Sequence, residues 1–465
     1  MSVQKEINVI VKSKEGSRFS ITVDYPTLGG KVEEETLSPL ERFNSRLEKI
    51  SNKWVSNSLS FFEVVPELNN LPLHLADYQV EEKTLGLLSE LSSKSETREE
   101  DGITVEEFSL PIHEAPRVTK SIELATRIAQ TTELMRRAAL GALLAEYEGL
   151  VGELISAIAD FKPEILGPAA HEVSLEDISE LSSLSELKRF IVEQKVDAVL
   201  FRKPHKEVLK WFEERVGVNL SSNRALISEF VEVCQRRHLI SHSGGRANAR
   251  YVKICEDEGC PSEMILKKDQ LANVDRVYLR RATARVFQVG FFTLHLVWQK
   301  LVDGPEYSDR SLLEASHSFL EYDLTKMARR VCEFALSRKA NAPTGMSKAS
   351  FLMNLAQAHK FDPMAEPEAR AAGVRNVLEK EDWSNASPLV KLVKACLEDK
   401  FDNIEGLMVG AAQYSDRKLA YHEVFIWNAF RDARERDDFN RALNKAFPDV
   451  GNSIPAISAP TESNE

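Results

Sequence analysis

Apolar residues recur at helical spacing through the central part of this chain. Between Pro116 and Phe161 they follow one another at intervals of three to five residues, as Leu134, Ala138, Leu143, Tyr147, Leu150, Leu154 and Ile158. Because an α-helix turns once every 3.6 residues, this spacing places the apolar side chains on one helix face. Such a face must pack against other apolar surfaces to be stable. The sequence therefore predicts one or two long helices within a helical core.

Segments with the same periodicity follow at 185–200, 205–216, 224–240 and 275–302. Ser221, Ser222 and Asn223 precede the third segment. Side chains of these types accept hydrogen bonds from the first free backbone N–H groups of a helix. About five helices within residues 116–304 indicate an all-α bundle.

Beyond Gly304 and Pro305 the predicted helices are short and polar turns join them. Their predicted ranges are 312–320, 324–338, 348–358, 368–378, 388–398, 404–412, 422–434 and 438–447. Serial short helices are typical of helical-hairpin repeats, although the chain has no regular 34-residue period. We expect a repeat-like domain over 308–450 and a disordered tail over 451–465, which is rich in Pro, Ser and Ala.

The N-terminal region, residues 1–100, has a different pattern. Polar and apolar residues alternate over 7–11 and 19–23, which predicts a β-hairpin. Helical patches follow from residue 38, and the charged, Ser-rich stretch 92–102 predicts a linker. The expected fold class is mainly α, with a central helical bundle, a small α+β N-terminal region and a C-terminal helical-repeat-like domain.

Composition excludes several classes of protein. No stretch reaches 18 uninterrupted apolar residues and the first six residues lack the apolar core of a secretion signal, so we expect a cytoplasmic protein without membrane spans. Five scattered cysteines argue against a disulfide framework. Because Cys255 and Cys260 lack a second pair at zinc-finger spacing, we expect reduced thiols in a surface hairpin and neither a metal nor a cofactor.

Arg237, His238 and His242 lie within six residues, and Gly244 and Gly245 follow. An arginine is charged at any physiological pH and holds a phosphate through a rigid fork of donors, whereas histidines exchange protons near neutrality. RNA carries its own nucleophile, the 2′-hydroxyl, so a base, an acid and a cation suffice to cleave it without a metal ion. The products would be a 2′,3′-cyclic phosphate and a 5′-hydroxyl.

Helix geometry limits how these side chains can meet. On an ideal helix Arg237 and His242 lie about 140° apart around the axis, whereas His238 and His242 share a face. Two arrangements would bring Arg237 and His242 together. The last turn could loosen at the glycine pair, which is a typical helix stop, or a second copy of the motif could complete the site across a dimer.

The motif lies in a stretch without acidic residues. Between Val233 and Cys255 there is no Asp or Glu, although the whole chain has a net charge of −12. This stretch holds Arg236, Arg237, Arg246, Arg250 and Lys253, and a second basic run holds Arg276, Arg280, Arg281 and Arg285. The pattern is consistent with a positive seam for RNA. The alternative is that these arginines lie on solvated helix faces and pair with acids elsewhere.

The central block resembles the HEPN domain, a small helical bundle whose members often act as metal-independent ribonucleases in bacterial toxin and anti-phage systems. The pattern Arg237-His238-x-x-x-His242 matches the family's arginine, polar residue, three variable residues and histidine. Residues 211–218 resemble the lead-in helix and residues 147–150 an aromatic-Glu step in the family's first helix. The resemblance covers about residues 117–303.

One HEPN branch continues with glycines, an asparagine and a tyrosine. Gly244, Gly245, Asn248 and Tyr251 resemble that continuation, while Ser243 stands where the branch often has asparagine. The resemblance implies a homodimer, because the family's site forms where two domains pack, and it implies an RNA substrate.

The resemblance also implies roles for side chains of this chain. Arg237 would hold the scissile phosphate, His242 would act as general base or acid, and His238 would orient them. Glu148 would orient Arg237 or His242 from the first helix. The path of the RNA would be extended by Arg236, Arg246 and Arg250.

Other interpretations stay open at this point. Many HEPN domains resemble dimerisation modules, so the chain is alternatively a non-catalytic scaffold that dimerises through the bundle and binds a protein partner on its C-terminal helices. Glu148 is alternatively a solvated or capping acid. The lone histidines are interpreted as structural or solvated, namely His113, His171, His205, His295 and His317.

Overall fold

The structure is a computed structural model that describes residues 8–14, 18–24, 37–75, 86–92, 94–100, 103–109, 111–167, 183–200, 204–414 and 418–448. Most of these residues are helical, which confirms the mainly-α class. Within the same ranges, strands form two antiparallel hairpins. None of the described helices is both long and apolar enough to cross a membrane.

The first hairpin is the one that the N-terminal alternation predicts. Its strands are β1 (Asn8–Lys14) and β2 (Arg18–Asp24), and Asn8 lies opposite Asp24 in the register. The predicted linker over 92–102 is wrong, because β3 (Lys94–Glu100) pairs there with β4 (Ile103–Ser109). The residue types of β3 do not favour a strand by themselves, so its extended conformation depends on pairing with the more apolar β4.

One of two compact units is Phe43–Ser311. Its helices are α1 (Pro39–Leu75), α2 (Ala115–Phe161), α3 (Leu184–Leu200), α4 (His205–Val216), α5 (Arg224–His242), α6 (Ala249–Asp257) and α7 (Arg276–Leu301). A short helical stretch at 86–91 and two 3-10 turns, Ile112–Glu114 and Pro163–Leu166, complete its described helical elements. The long apolar pattern from Pro116 to Phe161 is thus one continuous helix, α2.

Helices α1, α2 and α7 approach closely at Gly290. A Cβ atom at this position would lie 2.6 Å from Leu150 and 3.0 Å from Trp54, so a residue without a side chain is needed there. The indole of Trp54 donates to the carbonyl of Phe287 (3.2 Å). The sequence assigns α1 to the N-terminal α+β region over 1–100, and in the structure these contacts pack it in the core of the central unit.

The second unit comprises the described residues of Met1–Arg42 and Leu312–Glu465. Its helices are α8 (Glu306–Glu321), which begins in the central unit, α9 (Thr325–Ser337), α10 (Gly345–Lys360), α11 (Pro367–Leu378), α12 (Pro388–Leu397), α13 (Ile404–Gln413), α14 (Glu423–Ile426) and α15 (Asp437–Ala446). Their core includes four fully buried aromatic side chains, Phe319, Phe351, Phe430 and Phe439. The predicted disordered tail, 451–465, lies outside the described residues.

The predicted helix over 422–434 is not continuous. After α14 the chain forms two 3-10 turns, Asn428–Phe430 and Ala433–Glu435. Arg434 donates from its guanidinium to the carbonyls of Val424 (2.8 Å) and Trp427 (2.6 Å). In a continuous helix these two carbonyl groups would accept hydrogen bonds from backbone N–H groups of the next turn. Here the Arg434 side chain donates to them instead.

Candidate functional site

Helix α5 carries the Arg-His motif and has a defined beginning and end. The side chain of Asn223 accepts from the backbone N–H of Leu226 (3.2 Å), so the predicted N-cap is confirmed. At the other end Gly244 and Gly245 have φ values of 59° and 75°, and the N–H of Gly245 donates to the carbonyl of Leu239 (3.0 Å). Glycine adopts this left-handed conformation at little cost, which closes the helix end.

The last turn of α5 stays helical up to His242. The backbone N–H of Ser243 still donates to the carbonyl of Leu239 (2.8 Å), as it would in a regular turn. The predicted loosening, which would have let His242 swing toward Arg237, is therefore not observed. Within one chain the two side chains stay on different faces of the helix.

His238 and His242 are neighbours on the exposed face of α5. Their ring centroids lie 4.8 Å apart with the ring planes inclined by 49°. Partial desolvation lowers the pKa of His238, and the neighbouring His242, Arg250 and Arg237 act in the same direction. His238 is therefore neutral near pH 7 and able to accept a proton.

Arg237 lies on a different face of α5 from His242, and it meets Glu148 of α2, which also binds His205 of α4. Its Nη2 donates to Glu148 Oε1 (2.6 Å), and His205 Nε2 lies 3.0 Å from the same oxygen. The three side chains are partly buried, with 27%, 25% and 19% of Arg237, Glu148 and His205 exposed. An ion pair of this kind fixes the guanidinium while part of it stays accessible to a ligand.

The protonation states within this cluster follow from its contacts. The hydrogen bond from His205 and the charge of Arg237 hold the pKa of Glu148 below its usual range. The adjacent Cys234 thiol and the Glu148 carboxylate together raise the pKa of His205 to about 10, although burial opposes them. At neutral pH the cluster therefore consists of a carboxylate held between two cations.

A cleft of about 410 Å3 opens beside this cluster. Its wall includes the positive or titratable side chains of Arg237, His238 and Arg250. Lys206 and Glu258 also line the cleft and form an ion pair (2.6 Å). Arg250 is exposed and forms no ion pair with any residue that the structure describes. The cleft thus offers a fixed arginine, a free arginine and a neutral histidine to an anionic ligand. His242 lies outside the cleft wall, although it touches His238.

Arg236 occupies the interior and does not face the cleft. It donates to Glu232 Oε1 (2.7 Å) and to the carbonyls of Met264 (2.9 Å) and Asn273 (3.0 Å), and its guanidinium lies 4.0 Å from the ring centroid of Tyr278. Only 7% of its side chain is exposed. The assignment of Arg236 to an RNA path is therefore corrected to a structural role.

The remaining basic residues divide between exposed and paired positions. Arg246 is exposed at the end of α5, where its guanidinium donates to the carbonyl of Asp269 (3.1 Å). Arg281 and Arg285 both bind the carboxylate of Glu229 (3.0 and 2.7 Å). For this part of the second basic run the alternative interpretation, pairing with an acid, describes the structure.

The residues that follow the glycine pair, among them Asn248 and Tyr251, have structural roles next to α5. Asn248 caps α6 by accepting from the N–H of Tyr251 (2.9 Å), and the buried hydroxyl of Tyr251 donates to Glu232 (2.8 Å). Cys255 and Cys260 pack in the same apolar cluster and are 0% and 8% exposed. The expectation of a surface hairpin at these cysteines is wrong, because α6 turns its apolar face inward.

Two members of the site, His205 and Cys234, were not predicted from the sequence. His205 was interpreted as structural or solvated, yet it binds Glu148 and lines the cleft together with Cys234. These residues are 57 and 86 positions away from Glu148 in the chain, so no local spacing joins them. Cys234 and Arg237 are three residues apart on α5, so they lie on the same side of the helix. This spacing is the one signal in the sequence that places Cys234 near Arg237.

The described residues contain no group of three or more His, Cys, Asp or Glu side chains arranged to hold a metal ion. No model of a known protein family matches the chain, and no curated protein or solved structure matches it either.

Proposed function

We propose that the protein is a HEPN-type, metal-independent endoribonuclease. The observation that carries the proposal is the position of Arg237, which Glu148 fixes at the wall of a cleft that also presents His238 and Arg250. This arrangement supplies a phosphate-binding cation next to His238, a side chain of the type that exchanges protons near neutrality. His242 lies outside the cleft wall, in ring contact with His238. The resemblance of the motif to the HEPN pattern supports the same reaction.

In the proposed reaction Arg237 binds the scissile phosphate of RNA. A histidine accepts the proton of the 2′-hydroxyl while the 2′-oxygen forms a bond to phosphorus. A protonated histidine donates to the 5′-oxygen as the P–O5′ bond breaks, which leaves a 2′,3′-cyclic phosphate and a 5′-hydroxyl. We assign His242 to proton exchange and His238, which is neutral and in ring contact with it, to orienting it.

Arg237 and His242 lie on different faces of α5, so the proposed site includes two copies of the chain. In a homodimer that packs along α5, Arg237 of one copy would face His242 of the other. Arg250, which is exposed beside His238, would bind a neighbouring phosphate, and Arg246 would extend the path beyond the helix end. A role in toxin or anti-phage systems belongs to the same proposal and rests on the resemblance alone.

The test is cleavage of RNA by the purified full chain in the presence of EDTA. We expect a 2′,3′-cyclic phosphate product, and a loss of about 100-fold or more in rate for Arg237→Ala and for His242→Ala. Arg224→Ala is the matched control, because Arg224 is exposed at the first residue of the same helix. Its rate should equal that of the wild type.

Two outcomes would overturn the nuclease proposal. One is the absence of cleavage by a wild-type protein that is folded and dimeric, which would favour the non-catalytic scaffold. The other is equal cleavage by the wild type and both site variants, which would identify a contaminating nuclease.

A further inference from the structure

Side chains from one face of α5 and one face of α6 line the cleft beside Arg237. On α6 and its C-cap, Arg250, Ile254 and Glu258 follow one another at intervals of four residues, and all three line the cleft. On α5 the lining residues include Gln235 and His238, which are three residues apart. Residues at these spacings share a helix face. The cleft is therefore a groove along two helices, and its side chains can be ordered along its length.

The two helices run in opposite directions along this groove. Residues 243–248 connect the end of α5 directly to the start of α6. Beyond the end of α6, the sulfur of Cys260 donates to the carbonyl of Ser228, which lies near the start of α5 (3.1 Å). Arg250, in the first turn of α6, consequently lies at the same end of the groove as Arg237 and His238 of α5.

The groove is cationic at that end and apolar further along. Arg250 is exposed there, and Arg237 is held at the wall by Glu148. One turn further along α6 the lining residue is Ile254, and Val231 of α5 also lines the groove. A ligand that fits this order carries a negative charge at one end and a flat apolar body behind it, as a nucleotide does.

Gln235 contributes a carboxamide to the wall of the groove. It is partly exposed, and no residue that the structure describes forms a hydrogen bond with its side chain. It precedes His238 by about 4.5 Å along the helix axis, which leaves room for a ribose between a phosphate at the cationic end and a base at Gln235. A carboxamide presents one donor and one acceptor side by side, and adenine presents the matching pair at N6 and N7.

We propose that the groove binds one adenine nucleotide of the RNA and that Gln235 selects the base. Arg237 and Arg250 bind the phosphate, and the base lies against Val231 and Ile254 with its N6 and N7 edge on the Gln235 amide. The volume of about 410 Å3 is that of a site for a small ligand. A base enclosed in this way is unpaired, so the cut lies in a single-stranded segment. The inference rests on the proposed function for RNA as the ligand.

The test is binding of the four nucleoside 3′-monophosphates to the full chain, measured by isothermal titration calorimetry, which needs no cleavage. We expect the adenosine compound to bind at least about tenfold more tightly than each of the other three. Gln235→Leu should remove this preference and leave the affinity for the other three unchanged. The matched control is Gln413→Leu, because Gln413 is exposed at the end of α13 in the other unit, and it should keep the preference.

A second variant separates the two ends of the groove. Arg250→Ala removes a phosphate contact, so we expect it to weaken all four compounds by a similar factor and to keep the preference for adenosine. Loss of structure in Gln235→Leu would instead abolish binding of all four compounds. The two variants therefore distinguish recognition of the base from recognition of the phosphate.

Equal affinity for the four compounds, or no binding of any at millimolar concentration, would overturn the base assignment even if the wild type cleaves RNA. A preference for adenosine that persists in Gln235→Leu would overturn the role of Gln235. A preference that this variant removes would support the assignment of the groove even if the chain cleaves no RNA.

Discussion

Arg236 and Arg237 are adjacent on α5 but have opposite surroundings. The two positions differ by about 100° around the helix axis. Arg236 is turned into the interior, where Glu232 is 0% exposed, whereas Arg237 reaches the cleft wall and binds Glu148. A run of basic residues in a sequence therefore does not by itself indicate which of them can contact RNA.

The buried pair of Arg236 and Glu232 gives a stability prediction. Arg236→Ala would leave the Glu232 carboxylate buried without its cation, so we expect the free energy of unfolding to fall by about 3–5 kcal/mol. Urea denaturation followed by tryptophan fluorescence measures this change. Arg250→Ala is the control, because Arg250 is exposed, and its effect should stay within about 0.5 kcal/mol. A loss of less than about 1 kcal/mol for Arg236→Ala would contradict the assigned role.

At the level of elements, the ends of α5 determine where the motif stops. The Asn223 cap fixes its start and the glycine pair fixes its end directly after His242. Because Gly245 is also buried against Leu271, the turn that follows is held in place. The histidines consequently stay on a regular helix and keep their shared face.

Replacing glycines in two different backbone conformations should have opposite effects on stability. Gly245 has φ of 75°, so Gly245→Ala should lower the free energy of unfolding by about 1–2 kcal/mol. Gly141 lies inside α2 and an added Cβ would meet nothing within 4 Å, so Gly141→Ala should raise it by about 0.5–1 kcal/mol. Thermal unfolding of both variants tests the pair, and a stabilising Gly245→Ala would contradict the helix-end geometry.

At the level of the whole molecule, the proposed site depends on a second copy of the chain. Within one copy Arg237 and His242 are separated by the helix that carries them both. A dimer of two-fold symmetry would contain two identical sites, each with Arg237 from one copy and His242 from the other. The proposal therefore makes activity a property of the assembly.

Mixing two inactive variants tests this assembly. When Arg237→Ala and His242→Ala proteins exchange subunits at random, about half of the dimers contain one of each, and each such dimer has one intact site of its two. We expect about a quarter of the wild-type cleavage rate to return. Mixing Arg237→Ala with the double variant should restore none. A dimeric mixture without recovered activity would contradict a shared site.

The sequence alone determined the positions of most helices. Apolar spacing predicted α2 and the short helices beyond residue 304, and Asn223 and the glycine pair predicted the limits of α5. These features are local, because periodicity and caps act within a few residues along the chain. The motif residues Arg237, His238 and His242 are likewise recognisable from the sequence alone.

Only the tertiary structure decided which side chains meet. Glu148, His205 and Arg237 come from three helices and from positions up to 89 residues apart. The break in the predicted helix at 422–434 and the strand over Lys94–Glu100 also depend on hydrogen bonds outside the local pattern. Periodicity specifies which face of a helix is buried, but the packing of one helix against another determines its partner. For this reason the motif was recognisable in the sequence, while the cleft beside Cys234 was not.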